Sequence, residues 1–212
     1  MTVQLHLGDC VSDTVDPMVF HPLFAVGELI TTPRDLELLP TSSARAYEVN
    51  RTWHSSMPSM DSYRVCNPCF IAVAQNIVYA VALWSLPIAA NRLKDGYNCL
   101  ELRRFAIADY APRNTASWML SRMEKQITLD MPDIKKLISY QDTEHHHGTI
   151  YKASNWTLAS HGKYISWNLH SKRPGRIEQS TAPKIRWEKL LIRKTHARTP
   201  RAQQLTLEEA QP

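Results

Sequence analysis

The chain has 212 residues, of which 43% are hydrophobic and 21% charged, so it is not wholly disordered and suits one globular domain. Four cysteines are too few for a disulfide framework, which predicts reduced thiols and argues against secretion. The first ten residues lack the basic and apolar regions of a signal peptide, and the most apolar stretch, residues 70–90, is interrupted by Gln75, Asn76 and Pro87. We therefore expect no membrane span and a cytoplasmic protein.

Charge is distributed unevenly along the chain. The net charge is +5, yet the segment from Lys172 to Arg201 holds ten lysines and arginines against only Glu178 and Glu188. A basic segment of this kind binds phosphate backbones without sequence preference. It predicts a polyanionic partner, and a solvated basic surface without a partner is the alternative.

The first part of the chain predicts an irregular arm and then a helix. Residues 1–30 show no sustained period and are interpreted as the arm. The helix follows the cap signal Ser42–Ser43 and is expected to end at Pro58. Its predicted apolar face consists of Ala44, Tyr47 and Trp53.

A β-hairpin comes next. The segments Cys69–Ala74 and Ile77–Trp84 are rich in Val, Ile and aromatic residues, and Gln75–Asn76 separates them as a turn. Beyond a loop, Cys99–Ala108 predicts a largely buried strand, with the pair Arg103–Arg104 at its middle. Two charged residues are unusual in such a strand.

The remaining elements alternate between helices and strands. The residues after Pro112 predict a helix, with Ala116, Met119, Leu120, Met123 and Ile127 at helical spacing. The later segments predict a strand, a helix and two strands, at Lys135–Asp142, Gly148–Trp156, Lys163–Leu169 and Lys184–Ile192. This order is typical of an α/β protein with a mixed central sheet flanked by helices. We expect one domain over residues 31–195 and a flexible tail over 196–212.

Two groups of residues suggest a metal. Cys66 and Cys69, with His54, have the types of side chain found in zinc sites and nucleic-acid deaminases. However, His54 is not part of an H-x-E motif and Pro68 lies between the cysteines, so two thiols beside a buried strand are the better interpretation. The second group, His145–His147, consists of neighbours that point in different directions on a loop. Three interpretations of this triplet remain open: a solvated loop, a weak metal site or a contact with phosphate.

The helix after Pro112 carries polar residues in its first turn, Arg113, Asn114, Thr115 and Ser117. A helix N-terminus binds phosphate readily, although ordinary capping explains the same residues. The chain has neither a P-loop nor a dinucleotide-binding glycine motif.

Asp142 follows the end of a strand, and Tyr151 lies on the next helix. In an open α/β sheet ligands bind beside strand ends. A tyrosine there can protonate a leaving thiolate and an aspartate can accept a proton from an amine. The alternative is that Tyr151 packs in the core and Asp142 belongs to a turn.

Three stretches, VNRTWHSSMP, LELRRFAIADYAPRNTASWMLSR and LISYQDTEHHHGTIYKASNW, together resemble the Mom family of bacteriophage DNA-modification proteins, within the GNAT acetyltransferase superfamily. The resemblance covers about residues 44–190, with RNTAS where most GNAT proteins have a glycine-rich pyrophosphate loop. It implies a GNAT-like fold and conversion of adenine in double-stranded DNA to N6-carbamoylmethyladenine, with acetyl-CoA as donor. The modified phage DNA would resist restriction, and the protein would act in the cytoplasm of the bacterial host.

The resemblance also assigns roles to residues. Its matching positions imply catalytic roles for His54, Arg104, Asp142 and Tyr151, with Arg103 as the alternative to Arg104. Cofactor binding is assigned to Ile107, Arg113, Asn114 and Ser117. The family is also associated with iron, for which His54 and the triplet His145–His147 are candidate ligands without a defined set.

Chemistry agrees with this assignment in part. Adenine N6 is a poor nucleophile, so Asp142 or His54 would have to act as a base or a fixed negative charge. An adenine inside a duplex must also be extruded, and Trp53, Trp84 or Trp156 would stack on it unless they belong to the core. Two rival hypotheses are an ordinary GNAT acetyltransferase for a small or protein amine, and a non-catalytic DNA-binding module.

Overall fold

The computed structural model describes residues 29–54, 59–94, 98–161 and 183–191. Most of the predicted N-terminal arm, the predicted strand at 163–169 and the predicted tail lie outside these residues. The described strands are β1 (Glu37–Pro40), β2 (Cys69–Ala74), β3 (Ile77–Ser85), β4 (Asn98–Ile107), β5 (Ile134–Asp142), β6 (Thr157–His161) and β7 (Lys184–Leu190). The described α-helices are α1 (Ser43–Trp53), α2 (Thr115–Asp130) and α3 (Thr149–Ala153). None of these helices is both long and apolar enough to cross a membrane.

The seven strands form one mixed sheet in the order β1-β2-β3-β4-β5-β7-β6. Neighbouring strands are antiparallel except β4 and β5, which are parallel and are connected through α2. The predicted α/β class with a mixed sheet and flanking helices is therefore confirmed.

Each face of the sheet packs against different helices. On the α1 face, Ala46 and Val49 of α1 pack on apolar residues of the first four strands: Leu39, Ile71, Val73, Val78, Val81, Leu83 and Ala106. On the α2 face, α2 buries the predicted apolar residues Met119, Leu120, Met123 and Ile127, and α3 adds Tyr151. The central strand β3 is covered on both faces, and its residues Val78–Leu83 are completely inaccessible to solvent.

The hairpin of β2 and β3 has the predicted turn. Gln75 and Asn76 adopt φ values of 52° and 61°. These values are typical of a type I′ turn, whose twist matches that of the flanking strands and which requires positive φ at both central residues. Asparagine tolerates positive φ well.

The parallel pair β4 and β5 separates partway along its length. The last register pair is Leu102 with Ser139, although β4 continues to Ile107 and β5 to Asp142. β4 stays paired with β3 as far as Ile107, and β5 stays paired with β7 as far as Asp142. The sheet therefore opens between residues 103–107 and 140–142, at the carboxyl ends of its parallel strands, where ligands of open α/β sheets bind.

The structure departs from the sequence predictions mainly at the ends and edges of elements. Helix α1 ends at Trp53 instead of Pro58, and its buried face is formed by Ala46, Val49 and Asn50, whereas Ala44 is exposed. The edge strands β1 and β6 were not predicted, because both are short and largely solvent-facing and lack a regular apolar period.

Gly148 closes the turn that leads from β5 into α3. Its φ is +69°, and a Cβ at this position would collide with the Gln141 side chain and lie 2.7 Å from Trp187 Cζ2. Gln141 in turn accepts a hydrogen bond from Trp187 Nε1 at 2.8 Å and donates one to His146 O. The turn thus requires glycine because of both the backbone conformation and the lack of space.

We predict that Gly148→Ala lowers the free energy of unfolding by about 1–3 kcal/mol, because the methyl group must displace Gln141 or Trp187 in a strained backbone. Chemical denaturation measures the change. The neighbouring exposed substitution His147→Ala is the control and should change stability by less than about 0.5 kcal/mol. Equal stabilities of the two variants would contradict this role of Gly148.

Candidate active site

A β-bulge places two arginines on the α1 face beside the opening. Leu83 pairs with Arg104 and Trp84 with Leu102, so Arg103 is the extra residue of β4. Its Nη1 donates to Ser85 Oγ at 3.2 Å, and its Nε lies 3.6 Å from Glu101 Oε1. Bulges redirect side chains in this way near many functional sites.

Arg104 is held in a mostly buried position. Its Nη1 donates to Arg103 O at 2.7 Å and its Nη2 to Ser59 O at 3.4 Å. Its Nε is buried and has no hydrogen-bond partner among the described residues. Burial, followed by the charge of Arg103, lowers the pKa of Arg104. A buried guanidinium with a donor to spare can bind an oxygen or ring nitrogen of a ligand.

His54 lies directly after α1, as the residue that caps its C-terminus. Burial, then the positive charge of Arg104 and the neighbouring His146, lower the pKa of His54 from 6.5 to about 4. The imidazole is therefore neutral at pH 7 and can accept a proton. His54 and Arg104, both predicted from the sequence, come together here, and His146 is added from the β5–α3 loop.

Cys66 and Cys69 belong to the apolar cluster under α1. Cys69 Sγ donates to Cys66 O at 3.4 Å, and burial raises the pKa of Cys69 to about 12. Burial also raises the pKa of Cys66. Their place in this cluster agrees with the packing interpretation. Among the described residues, neither cysteine belongs to a group of three whose ligand atoms could share a metal ion.

Tyr151 occupies the other face of the sheet. It is only 7% exposed, its hydroxyl is 2.8 Å from Ser139 Oγ, and its ring stacks on Trp187 at 5.4 Å. Burial raises its pKa, so the phenol keeps its proton at neutral pH. Ser139 belongs to the last register pair of β4 and β5, which places the Tyr151 hydroxyl at the point where these strands separate.

Asp142 and the histidine triplet lie together at the rim. Asp142 Oδ1 accepts a hydrogen bond from Glu144 N at 3.0 Å, and Asp142 O accepts one from His146 N at 3.0 Å. The three histidines are exposed on the loop between β5 and α3, as predicted. In the described part of the chain, Asp142, Glu144 and His145 are the group whose ligand atoms, within 4.8 Å of one another, can hold a cation. His54 is not part of that group, and iron remains a prediction.

The predicted cofactor-binding residues lie at the start of α2. Asn114 precedes the helix with φ 69°, and no side chain of the described residues caps this end. The Ser117 hydroxyl donates to Asn114 O at 3.1 Å, and Arg113 is exposed. Ile107 is half-buried at the end of β4, on the unpaired side of the opening. Thr115 N donates to Pro112 O at 3.3 Å, and the N–H groups of Ala116 and Ser117, which have no such partner among the described residues, can bind an anion.

An open cavity of about 340 Å³ continues from this helix end along α2. Its lining is Pro33, Asn114, Ser117, Trp118, Ser121, Arg122, Lys125 and Ala153. The Arg122 guanidinium lies 5.7 Å above the Trp118 ring. Arg122 and Lys125 were not singled out from the sequence, although Lys125 follows Ser117 and Ser121 at intervals of four residues and Arg122 follows Trp118 by four.

The three tryptophans considered for stacking on an extruded base differ in their exposure to solvent. Trp84 is fully buried and Trp156 is 5% exposed, so both belong to the core and neither can stack on a base. Trp53 is half-buried and packs edge-on against Tyr110 at 6.2 Å. Glu101 was missed as a site residue, although an acidic residue within an apolar strand signals it: it is 7% exposed, and burial raises its pKa.

We predict that NMR titration of histidine-labelled protein shows the imidazole of His54 protonating near pH 4. His54→Gln should remove this signal. Arg104→Gln should raise the midpoint towards the ordinary value of 6.5, because it removes a nearby positive charge. Arg103→Gln is the control, since Ser85 and Glu101 hold this side chain, and it should shift the midpoint less. A midpoint near 6.5 for His54 in the parent protein would contradict the described burial.

Known structures share this fold. A GNAT family acetyltransferase from Elizabethkingia anophelis, solved with acetyl-CoA bound, superposes with a TM-score of 0.53 at 13% identity and covers 74% of this chain and 99% of its own. YncA, a putative acetyltransferase from Salmonella typhimurium solved with its cofactor acetyl-CoA, superposes with a TM-score of 0.54 at 8% identity. The match covers 77% of this chain and 96% of YncA. A putative phosphinothricin N-acetyltransferase superposes with a TM-score of 0.54 at 13% identity, and the match covers 74% of this chain and 99% of that protein. At these identities the similarity shows a GNAT-like fold.

No curated protein matches the chain. The sequence profile of the Mom protein family, in contrast, matches residues 78–209, which is more than half of the chain and includes the opened strand pair, the start of α2 and the β5–α3 loop. With its GNAT-like fold, this chain therefore belongs to the Mom protein family.

Proposed function

We propose that this protein transfers a group derived from acetyl-CoA to N6 of adenine in double-stranded DNA, giving N6-carbamoylmethyladenine and protecting phage DNA from restriction in the bacterial cytoplasm. One observation carries the proposal: neutral His54 and buried Arg104 lie on one face of the opened strands, and protonated Tyr151 lies on the other. Membership of the Mom family supports DNA adenine as the acceptor. The GNAT-like fold, with acetyl-CoA bound in two of the similar structures, supports the donor.

The donor side has the groups that coenzyme A requires. Residues 103–107 of β4 have no register partners on β5, so their backbone groups can bind the amides of the pantetheine arm. The uncapped start of α2 offers N–H groups to the pyrophosphate, with Ser117 beside it. Arg122 and Lys125 line the adjoining cavity, where they can bind a further phosphate.

Proton transfers follow from the charge states of the site residues. Tyr151 keeps its proton because burial raises its pKa, so it can donate this proton to a departing thiolate. His54, neutral because burial lowers its pKa, can accept a proton from adenine N6 as N6 bonds to the transferred carbon. These two proton transfers balance a transfer in which the new N6–carbon bond replaces the carbon–sulfur bond of the thioester. The carbamoylmethyl product also contains an amide nitrogen and a more oxidised methyl carbon, so the proposed reaction needs a nitrogen donor and a two-electron oxidant as further reactants. Arg104, the cation beside His54, can orient the base through its guanidinium. Asp142, at the end of β5, places a negative charge beside the same opening.

A second candidate function is acetylation of a small amine or a protein lysine. The similarity of the fold to N-acetyltransferases, including a spermidine/spermine N-acetyltransferase from Vibrio cholerae, favours it. Its acceptor would not be DNA, so the identity of the modified molecule distinguishes the two functions.

We predict that plasmid DNA from bacteria expressing this protein contains a deoxyadenosine heavier by a carbamoylmethyl group, detected by mass spectrometry of digested nucleosides. Asp142→Asn should reduce the amount at least about a hundredfold, the scale for losing one group that stabilises the reacting centre electrostatically. Asp133→Asn, which changes an exposed aspartate between α2 and β5, is the control and should retain full modification. Unmodified DNA from soluble protein that binds acetyl-CoA would reject this proposal in favour of the second function.

We also predict that the double substitution Arg122→Gln and Lys125→Gln weakens acetyl-CoA binding roughly tenfold, or about 1.4 kcal/mol, in calorimetric titration. The physical reason is the loss of two cations from the cavity beside α2. Lys135→Gln, an exposed lysine whose Nζ donates to Pro132 O, is the matched control. Unchanged affinity in the double variant would place the phosphates elsewhere.

A further inference from the structure

The tip of the loop that follows β3 presents two large apolar side chains to solvent. Leu86 is 57% exposed and Ile88 is 71% exposed, while Pro87 between them is buried. Burying an aliphatic side chain of this size stabilises a protein, and these two exposed positions forgo that stabilisation. A single exposed apolar residue needs no explanation, but a pair at one tip with a buried proline between them is an exposed apolar projection.

This tip is held rigidly from the sheet below. Ser85 Oγ donates to Leu86 O at 2.8 Å, and Ile88 N donates to Glu101 Oε2 at 3.2 Å. Glu101 is a buried residue of β4, and Arg103 lies 3.6 Å from it. Strands β3 and β4 thus each contribute a contact that holds the tip, which reduces the conformational entropy that it loses when it binds.

The loop that carries the tip contains two cations. Residues 86–95 include Arg92, Lys94 and, as the last residue, Asp95, and the buried Glu101 contacts the tip from β4. Arg92 Nε donates to Tyr140 OH at 3.2 Å, so this arginine stands beside the end of β5, and Lys94 is exposed. The charges complement a phosphate backbone and not a lipid tail or an apolar protein groove.

The same contacts connect the tip to the candidate active site. Arg103 bonds Ser85, which precedes the tip, and is the neighbour of Arg104, whose charge acts on His54. The residue that precedes the apolar projection is therefore linked through Arg103 to the groups proposed to receive the base.

We propose that Leu86 and Ile88 form a wedge that enters the base stack of double-stranded DNA beside the target adenine, while Arg92 and Lys94 contact the flanking phosphates. This inference rests on the proposed function, because it assumes a base that must leave the duplex. Unstacking a base step costs a few kcal/mol, which is similar to what burial of two aliphatic side chains returns. The wedge would open the stack, and His54 and Arg104 would receive the extruded base.

Fluorescence of 2-aminopurine, placed in duplexes in place of adenine in every nearest-neighbour context, tests the wedge, because this base brightens when it leaves the stack. The full chain is compared with the double variant Leu86→Ser/Ile88→Ser and with Leu129→Ser, a control that changes a 73% exposed leucine at the end of α2. All three should bind acetyl-CoA equally, which verifies folding. We expect the parent and the control to raise the fluorescence equally.

In the double variant, DNA affinity should fall by less than about tenfold, since phosphate contacts remain, whereas the fluorescence gain at saturation should be largely lost. An equal gain in the double variant, or DNA binding by the parent without any gain, would overturn the wedge while leaving DNA as the acceptor. Failure of the parent to bind DNA while it binds acetyl-CoA would instead reject the proposed function, and the wedge with it.

Discussion

The early end of the pairing between β4 and β5 is the constraint on which the rest of the site depends. Beyond Leu102 and Ser139 each strand keeps only its outer neighbour, β3 or β7. Each ladder hydrogen bond given up costs on the order of 1 kcal/mol, and the outer strands hold the two halves in place. The unpaired edge exposes backbone groups inside the fold, where a ligand can use them.

Burial shifts the pKa values of His54 and Tyr151, which lie on opposite faces of the sheet at this opening. On the α1 face, the bulge at Arg103 brings Arg104 beside His54, and burial together with this charge keeps the imidazole neutral. On the α2 face, packing against Trp187 raises the pKa of Tyr151 and keeps its phenol protonated. A proton acceptor and a proton donor are thereby separated by the sheet, which prevents one from simply neutralising the other.

Much of this arrangement follows from the sequence. The hairpin, the strand with two arginines and α2 have apolar periods long enough to predict, and the Mom-like motifs indicated His54, Arg104 and Tyr151. The short edge strands β1 and β6 carry no such period. The register that ends at Ser139, and the bulge at Arg103, depend on pairing between distant segments, which no local pattern encodes. For the same reason, the proximity of His146 to His54, and the contact of Glu101 with Ile88, became visible only when the strands and loops were assembled.

The most direct test of this account is a crystal structure of the protein with acetyl-CoA. The account predicts that the pantetheine arm lies along residues 103–107 of β4, with the thioester sulfur within hydrogen-bond reach, about 3–3.5 Å, of the Tyr151 hydroxyl. Acetyl-CoA bound with its thioester outside the opening between β4 and β5, and with the Tyr151–Ser139 hydrogen bond unchanged, would contradict it.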